Sequence, residues 1–67
     1  MSVKVRLGDI RIERNITLRQ LEELTGICKS TLNNIENGKT DPKISQLEKI
    51  AIALDIRIRD LIVTKYL

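Results

Sequence analysis

Aliphatic residues recur along the chain at helical spacing, separated by short polar breaks. Val3, Leu7 and Ile10 fall at i, i+4 and i+7 and predict one face of a first helix, with a turn around Asn15 ending it. Gly8 inside that helix is unfavourable by roughly 1 kcal/mol relative to Ala. Thr17 reads as an N-cap, and Gln20 three residues later completes a capping box. Leu21 and Leu24 supply the apolar face of a short second helix that Gly26 stops. A third helix spans about residues 29 to 37, facing inward through Leu32 and Ile35 with Thr31 or Cys28 beside them, and Gly38 ends it. After an Asp41-Pro42 loop, a fourth helix from about Ile44 to Leu54 turns Ile44, Leu47, Ile50, Ala51 and Leu54 inward. A last short helix near Ile58 to Ile62 presents Ile58, Leu61 and Ile62; the β-prone VTKYL that follows reads as a frayed end or a strand. The expected architecture is all-α: five short helices with connections of a few residues.

At 67 residues, a single domain is expected, with a core over about residues 3 to 62 and a tail from 63 to 67. Such a domain buries only ~60% of its unfolded surface and needs further support. Cys28 is the sole cysteine and there is no histidine, which excludes an internal disulfide and leaves no basis for a metal site. Well-packed helices or dimerisation must supply the stability. No apolar run approaches the ~20 residues of a membrane span, and charges interrupt the N-terminus where a signal peptide would be apolar. A reduced, cytoplasmic protein associated with the nucleoid is expected.

The pair formed by residues 17 to 25 and 29 to 37, joined by a tight turn containing Gly26, is a helix-turn-helix unit. The second helix of such a unit enters the DNA major groove. It needs an anchored apolar side and an outer face of hydrogen-bonding side chains with few carboxylates. Lys29, Ser30, Asn33 and Asn34 supply that face, and Glu36 is the only carboxylate on the helix. The net charge of +3 is compatible with a polyanionic partner without being diagnostic. Tyr66 is the only aromatic, so there is no platform for stacking unpaired bases, and duplex DNA is the better fit.

ITLRQLEELTGICKSTLNNIENGKTDP, followed by LEKIAIALDI and then RDLI, resembles the lambda-repressor/Cro-like (XRE) helix-turn-helix domains of bacteria and phages over roughly residues 3 to 62. The resemblance implies DNA contacts at Leu18, Lys29, Ser30 and Asn34, with Asn33 close by and Cys28 on the DNA side at the helix start. By chemistry, Lys29 suits the O6/N7 edge of guanine, and Asn34 suits the N6/N7 edge of adenine. The resemblance further implies that Asn37, Lys39 and Thr40 grip the phosphate backbone through backbone amides and a cation. It also implies that Arg11 and Glu36 tie the first helix to the end of the third. Three positions depart from the family. Leu18 replaces a Gln that contacts DNA in many members. Glu22 stands where many have a packed Ala, so it must snorkel or find a partner. Cys28 stands where Ser or Thr caps the recognition helix, and a thiol caps poorly, at a cost of about 1 kcal/mol if nothing substitutes.

Taken singly, the polar residues of the third helix could be a solvated face, and Arg11 with Glu36 an ordinary surface pair. Lys4, Arg6 and Arg14 read as solubility charges, Arg14 being the best placed to touch phosphate. Cys28 has no second cysteine to resolve an oxidised thiol and reads as a small cap-site residue. Catalysis finds no foothold: there is no His, no Gly-rich phosphate loop and no Ser or Thr beside a base, so neither an enzyme nor a cofactor is expected.

The function expected is a sequence-specific regulator of transcription, a repressor, binding a double-stranded, pseudo-palindromic operator as a homodimer. The dimer surface is expected around Ile56 to Leu67, where Ile58, Ile62, Val63, Tyr66 and Leu67 exceed what a short helix can bury; Val5 and Ile12 form a second candidate patch. With the chain ending where larger regulators add a sensing domain, no small-molecule ligand is expected. The alternative is a protein-binding module, such as an antitoxin subunit or adaptor, that uses the same apolar patches.

Overall fold

The computed structural model describes residues 4–64. It contains β1 (Lys4–Val5), α1 (Leu7–Glu13), α2 (Leu18–Thr25), α3 (Lys29–Glu36), α4 (Ile44–Leu54), α5 (Ile58–Leu61) and β2 (Ile62–Val63). Five helices form as the periodicity predicts. To this all-α architecture the structure adds one small feature: β1 and β2 pair antiparallel, Lys4 opposite Val63 and Val5 opposite Ile62, so the β-prone segment after α5 begins as a strand. Two-residue strands are too short to carry a period. The pairing draws Val63 out of the expected tail into the fold, and a further bond from the Arg6 N–H to the Leu61 carbonyl (2.7 Å) extends it. Helix α1 accordingly starts at Leu7; Val3, expected on its face, lies outside the described residues, as do Tyr66 and Leu67.

The helices end where local stereochemistry dictates. Asn15, Gly38 and Asp55 take left-handed conformations, with φ of 57°, 72° and 55°. Each closes its helix with the paired 6→1 and 5→2 bonds of a Schellman motif. After α1 these are Ile16 N–H to Arg11 O and Asn15 N–H to Ile12 O; after α4 they are Ile56 N–H to Ala51 O and Asp55 N–H to Ile52 O. The end of α4 is also held from outside, because the Arg14 guanidinium donates to the Leu54 carbonyl. Arg6 similarly donates to the Asp60 carbonyl in α5 (3.2 Å). Arg14, read from sequence as a solubility charge and the best placed of three to touch phosphate, is occupied at a helix C-terminus, where a cation also meets the negative end of the dipole.

The core is entirely aliphatic among the described residues. Leu7 and Ile10 from α1, Leu21 from α2, Leu32 and Ile35 from α3, Leu47, Ile50, Ala51 and Leu54 from α4, and Leu61 from α5 are buried. Ile27, in the turn between α2 and α3, joins them and was not singled out by periodicity. Two residues expected inside are exposed, Leu24 at 62% and Ile44 at 73%. At about 100° per residue, Leu24 lies to one side of Leu21, while half-buried Leu18, Glu22 and Thr25 lie to the other, so the inward stripe turns away from it. Ile44 has the correct angle but sits in the first turn of α4, one turn beyond Leu47. Beside Leu32 and Ile35 it is Thr31 that is half-buried, whereas Cys28 is exposed. Ile56, Ile58 and Ile62 pack against the core, as does Val5, which among the described residues leaves Val63 and Ile12 as the open members of the two expected patches.

Candidate nucleic-acid interface

Helix α2 begins with the predicted capping box. Thr17 Oγ1 accepts from the Gln20 N–H (3.1 Å), and Gln20 Oε1 accepts from the Thr17 N–H (2.8 Å). Gly26, at φ 74°, ends the helix, and its N–H donates to the Glu22 carbonyl (2.8 Å). The buried Ile27 then pins the turn. Thr25 Oγ1 stiffens it, donating to the Leu21 carbonyl (2.7 Å) and accepting from the Ile27 N–H (3.1 Å).

Cys28 holds the backbone conformation of an N-cap (φ −53°, ψ 140°), but its side chain makes no bond to α3. The substitute comes from the preceding helix: Glu22 Oε2 accepts from the Lys29 N–H at 2.7 Å. Of the two courses open to Glu22, it takes the second and finds a partner. From this start, Leu32 and Ile35 face the core and the other side stays open. Lys29, Ser30 and Asn33 are exposed, and Asn34 is half-buried. Leu18, Glu22, Cys28, Lys29, Ser30 and Asn33 border one open depression between α2 and α3.

The far end of α3 is closed by the third Schellman motif, with Lys39 N–H to Asn34 O (2.9 Å) and Gly38 N–H to Ile35 O (3.2 Å). The Asn37 N–H also stays within the helix, on the Asn33 carbonyl, and its side-chain amide donates to Asn33 Oδ1 (3.2 Å). The amides of Asn37, Gly38 and Lys39 are committed to the helix end, and the side chains of Asn37, Lys39 and Thr40 are exposed.

Arg11 and Glu36 form an ion pair from α1 to the last residue of α3. Arg11 Nε and a terminal nitrogen reach the same Glu36 oxygen at 3.0 and 2.9 Å, with the side chains only 20% and 12% exposed. The other guanidinium nitrogen donates to the Ile16 carbonyl (3.1 Å). Gly8 is part of this arrangement, because a β-carbon there would stand 2.8 Å from Glu36 Oε1 and 3.0 Å from its Cγ. No local sequence signal announces that contact, nor the cap from Glu22, since both join separate helices. The remaining ion pair among the described residues, Arg19 with Glu23 at 4.0 Å, is solvent-exposed.

A helix-turn-helix with a firmly framed polar helix is the hallmark of one class of nucleic-acid-binding proteins, and comparison with known proteins agrees. A family model described as helix-turn-helix (HTH_3) matches residues 7–61. The chain belongs to this family, the XRE or Cro/C1-type helix-turn-helix domains, which are DNA-binding transcriptional regulators and not enzymes. It is 37% identical over 62 residues to the HTH-type transcriptional regulator SinR of Bacillus subtilis, covering 91% of this chain and 56% of SinR. It is 40% identical over 58 residues to the immunity repressor protein of Bacillus phage phi105, covering 87% of this chain and 40% of the repressor. The chain thus spans about half the length of these curated relatives. Among solved structures, SinR in complex with DNA superposes with a TM-score of 0.73 at 37% identity, covering 79% of this chain and 86% of that one. SinR has also been solved with the protein SinI. The restriction-modification controller protein C.AhdI of Aeromonas hydrophila superposes with a TM-score of 0.79 at 29% identity, covering 82% and 83%. The five-helix, lambda-repressor-like DNA-binding fold is therefore shared. Among the described residues no helix is long and apolar enough to cross a membrane.

Proposed function

We propose that this chain is a sequence-specific repressor of transcription that binds a pseudo-palindromic operator in double-stranded DNA as a homodimer, inside the cell. The observation that carries the proposal is the face of α3. Its exposed Lys29, Ser30 and Asn33 stand on a helix fixed by a buried side, an N-terminal cap and an ion pair at its end. In this role α3 lies in the major groove. Lys29 donates to guanine O6/N7, and Asn34 pairs with adenine N6/N7. Lys39, with Asn37 and Thr40, holds phosphate and sets the register. Leu18 and Cys28 border the same depression and contribute surface without a strong donor. One such helix reads only a few base pairs, and two-fold symmetry doubles the site, with half-sites about one helical turn apart. The dimer surface includes Val63 from the Ile56–Leu67 region, which is half exposed.

The test is selection from a random duplex pool at near-physiological salt, with the parent chain and Lys29→Ala. A two-fold symmetric motif that the variant loses, with dimerisation intact, supports the proposal. Weak, salt-sensitive binding without a motif refutes it, because phosphate attraction alone behaves that way. A second reading, a protein-binding module, is favoured by the exposed aliphatics Ile12, Leu24, Ile44 and Ile52, and by the SinR–SinI precedent. Under that reading Ile52→Ser would abolish partner capture, and Lys29→Ala would leave it untouched.

A further inference from the structure

We propose that Glu22 is the positioning residue of the recognition helix: its carboxylate, reaching across from α2, supplies the cap that Cys28 does not, and thereby sets where Lys29 and Ser30 stand against DNA. The role rests on α3 being the helix that reads DNA.

Three observations converge. Cys28 has the dihedral angles of an N-cap residue and no capping bond. Glu22 is half-buried, with Oε2 at 2.7 Å from the Lys29 N–H, a charge-assisted bond at the positive end of a helix dipole. The same residue's carbonyl takes the Gly26 N–H at 2.8 Å. Glu22 therefore holds both sides of the turn, through its backbone at the end of α2 and its side chain at the start of α3. Among the described residues no cation pairs with its carboxylate, so the amide is the partner that accounts for its orientation.

The arrangement differs in kind from a hydroxyl cap. A Ser or Thr at the N-cap bonds an amide two or three residues further into its own helix and says nothing about the neighbouring helix. The Glu22 bond lands on the first residue of α3 and originates on α2, so it couples the position of Lys29 to the frame of the other helix. Base readout depends on such placement, because a side chain displaced by an ångström loses its bidentate geometry.

The test uses Glu22→Gln, Glu22→Ala and Glu22→Ala with Cys28→Ser, in free and DNA-bound chains. Amide hydrogen exchange in the free chain reads the cap directly. Exchange at Lys29 rises about tenfold in Glu22→Ala and stays near the parent value in Glu22→Gln, whose amide oxygen still accepts. Affinity for the selected operator relative to unrelated duplex reads positioning. That ratio falls about tenfold in Glu22→Ala, is retained by Glu22→Gln, and stays low in the double variant, where a serine hydroxyl restores a cap and its stability but ties α3 to nothing on α2. Unchanged Lys29 exchange in Glu22→Ala overturns the cap. Faster exchange with an unchanged ratio overturns the positioning role, as does a double variant that regains the ratio together with stability, because a cap with no tie to α2 would then suffice. If the parent chain selects no operator, the DNA reading fails and the positioning role with it, while Lys29 exchange still reports on the cap.

Discussion

Replacing Gly8 with alanine should destabilise this protein, although helix propensity alone says the opposite. Gly8 lies in the first turn of α1 at a negative φ, so alanine meets no backbone strain and removing glycine should stabilise the helix by up to about 1 kcal/mol. The methyl group, however, would stand 2.8, 3.0 and 3.2 Å from Oε1, Cγ and Cδ of Glu36, the three nearest atoms. Relief requires Glu36 to move, and Glu36 is held by Arg11 at 2.9 Å with only 12% of its side chain exposed. Breaking a fully buried pair costs about 3–5 kcal/mol and an exposed one about 0–1. This pair lies between those limits, at about 2 kcal/mol. The net is a loss of about 1 kcal/mol, or a Tm lower by about 4–8 °C for a domain of this size.

Thermal melts of the parent, Gly8→Ala, Glu36→Ala and the double variant decide the matter. With Glu36 truncated, the close contacts vanish and Gly8→Ala should raise Tm, so the sign of its effect inverts between backgrounds. A higher Tm for Gly8→Ala alone, or an equal effect in both backgrounds, would refute the account of Gly8 as the clearance that the ion pair needs.

Other perturbations separate the frame from the reading face. Leu32→Ala empties a fully buried position; at about 2–5 kcal/mol, against a total near 3–10 kcal/mol for a chain this short, it should leave much of the protein unfolded by circular dichroism at 37 °C. Arg14→Ala removes the bond to the Leu54 carbonyl, so urea denaturation should show a loss of about 1 kcal/mol, with no change in the salt dependence of DNA binding. Lys39→Ala should do the reverse. Stability holds, affinity for selected and unrelated duplex falls alike, and the slope of log K against log salt becomes shallower by about one.

What could be read from sequence was what the chain settles locally. Thr17 with Gln20, Gly26 and Gly38 mark helix ends because caps and left-handed turns are decided within a few residues. The core of α3 and α4 was legible because Leu32, Ile35, Leu47, Ile50 and Leu54 repeat at the helical period. Leu24 and Ile44 failed because periodicity gives an angle without saying whether another element covers it. The segment from Val63 could be read as a strand, but its pairing with Lys4–Val5 could not, because two residues hold no pattern and the partners are separated by nearly the whole chain. In the interface, the polar face of α3 was visible and the family resemblance implied the Arg11–Glu36 tie, but the other supports were not. Glu22 on Lys29, Glu36 beside Gly8 and Arg14 on Leu54 each join elements that only the tertiary fold brings together.

Those supports explain how an eight-residue helix is held in one place, as the proposed reading role requires. A helix that short is unstable alone, so its position is set by what grips it. Leu32 and Ile35 fix its depth in the core but leave it free to slide or tilt along its axis. The two carboxylates remove that freedom at opposite ends, Glu22 tying the first residue to α2 and Arg11 tying Glu36, the last, to α1. Both acids are thereby turned to internal partners, and the outer face is left to Lys29 and short neutral side chains that a phosphate-lined groove does not repel. Substitutions at the two ends should therefore alter which DNA is preferred while the reading residues themselves are unchanged. Substitutions at Lys29 should abolish preference without moving the helix. Amide exchange across α3 distinguishes the two: it changes when an anchor is cut and stays constant when a reader is.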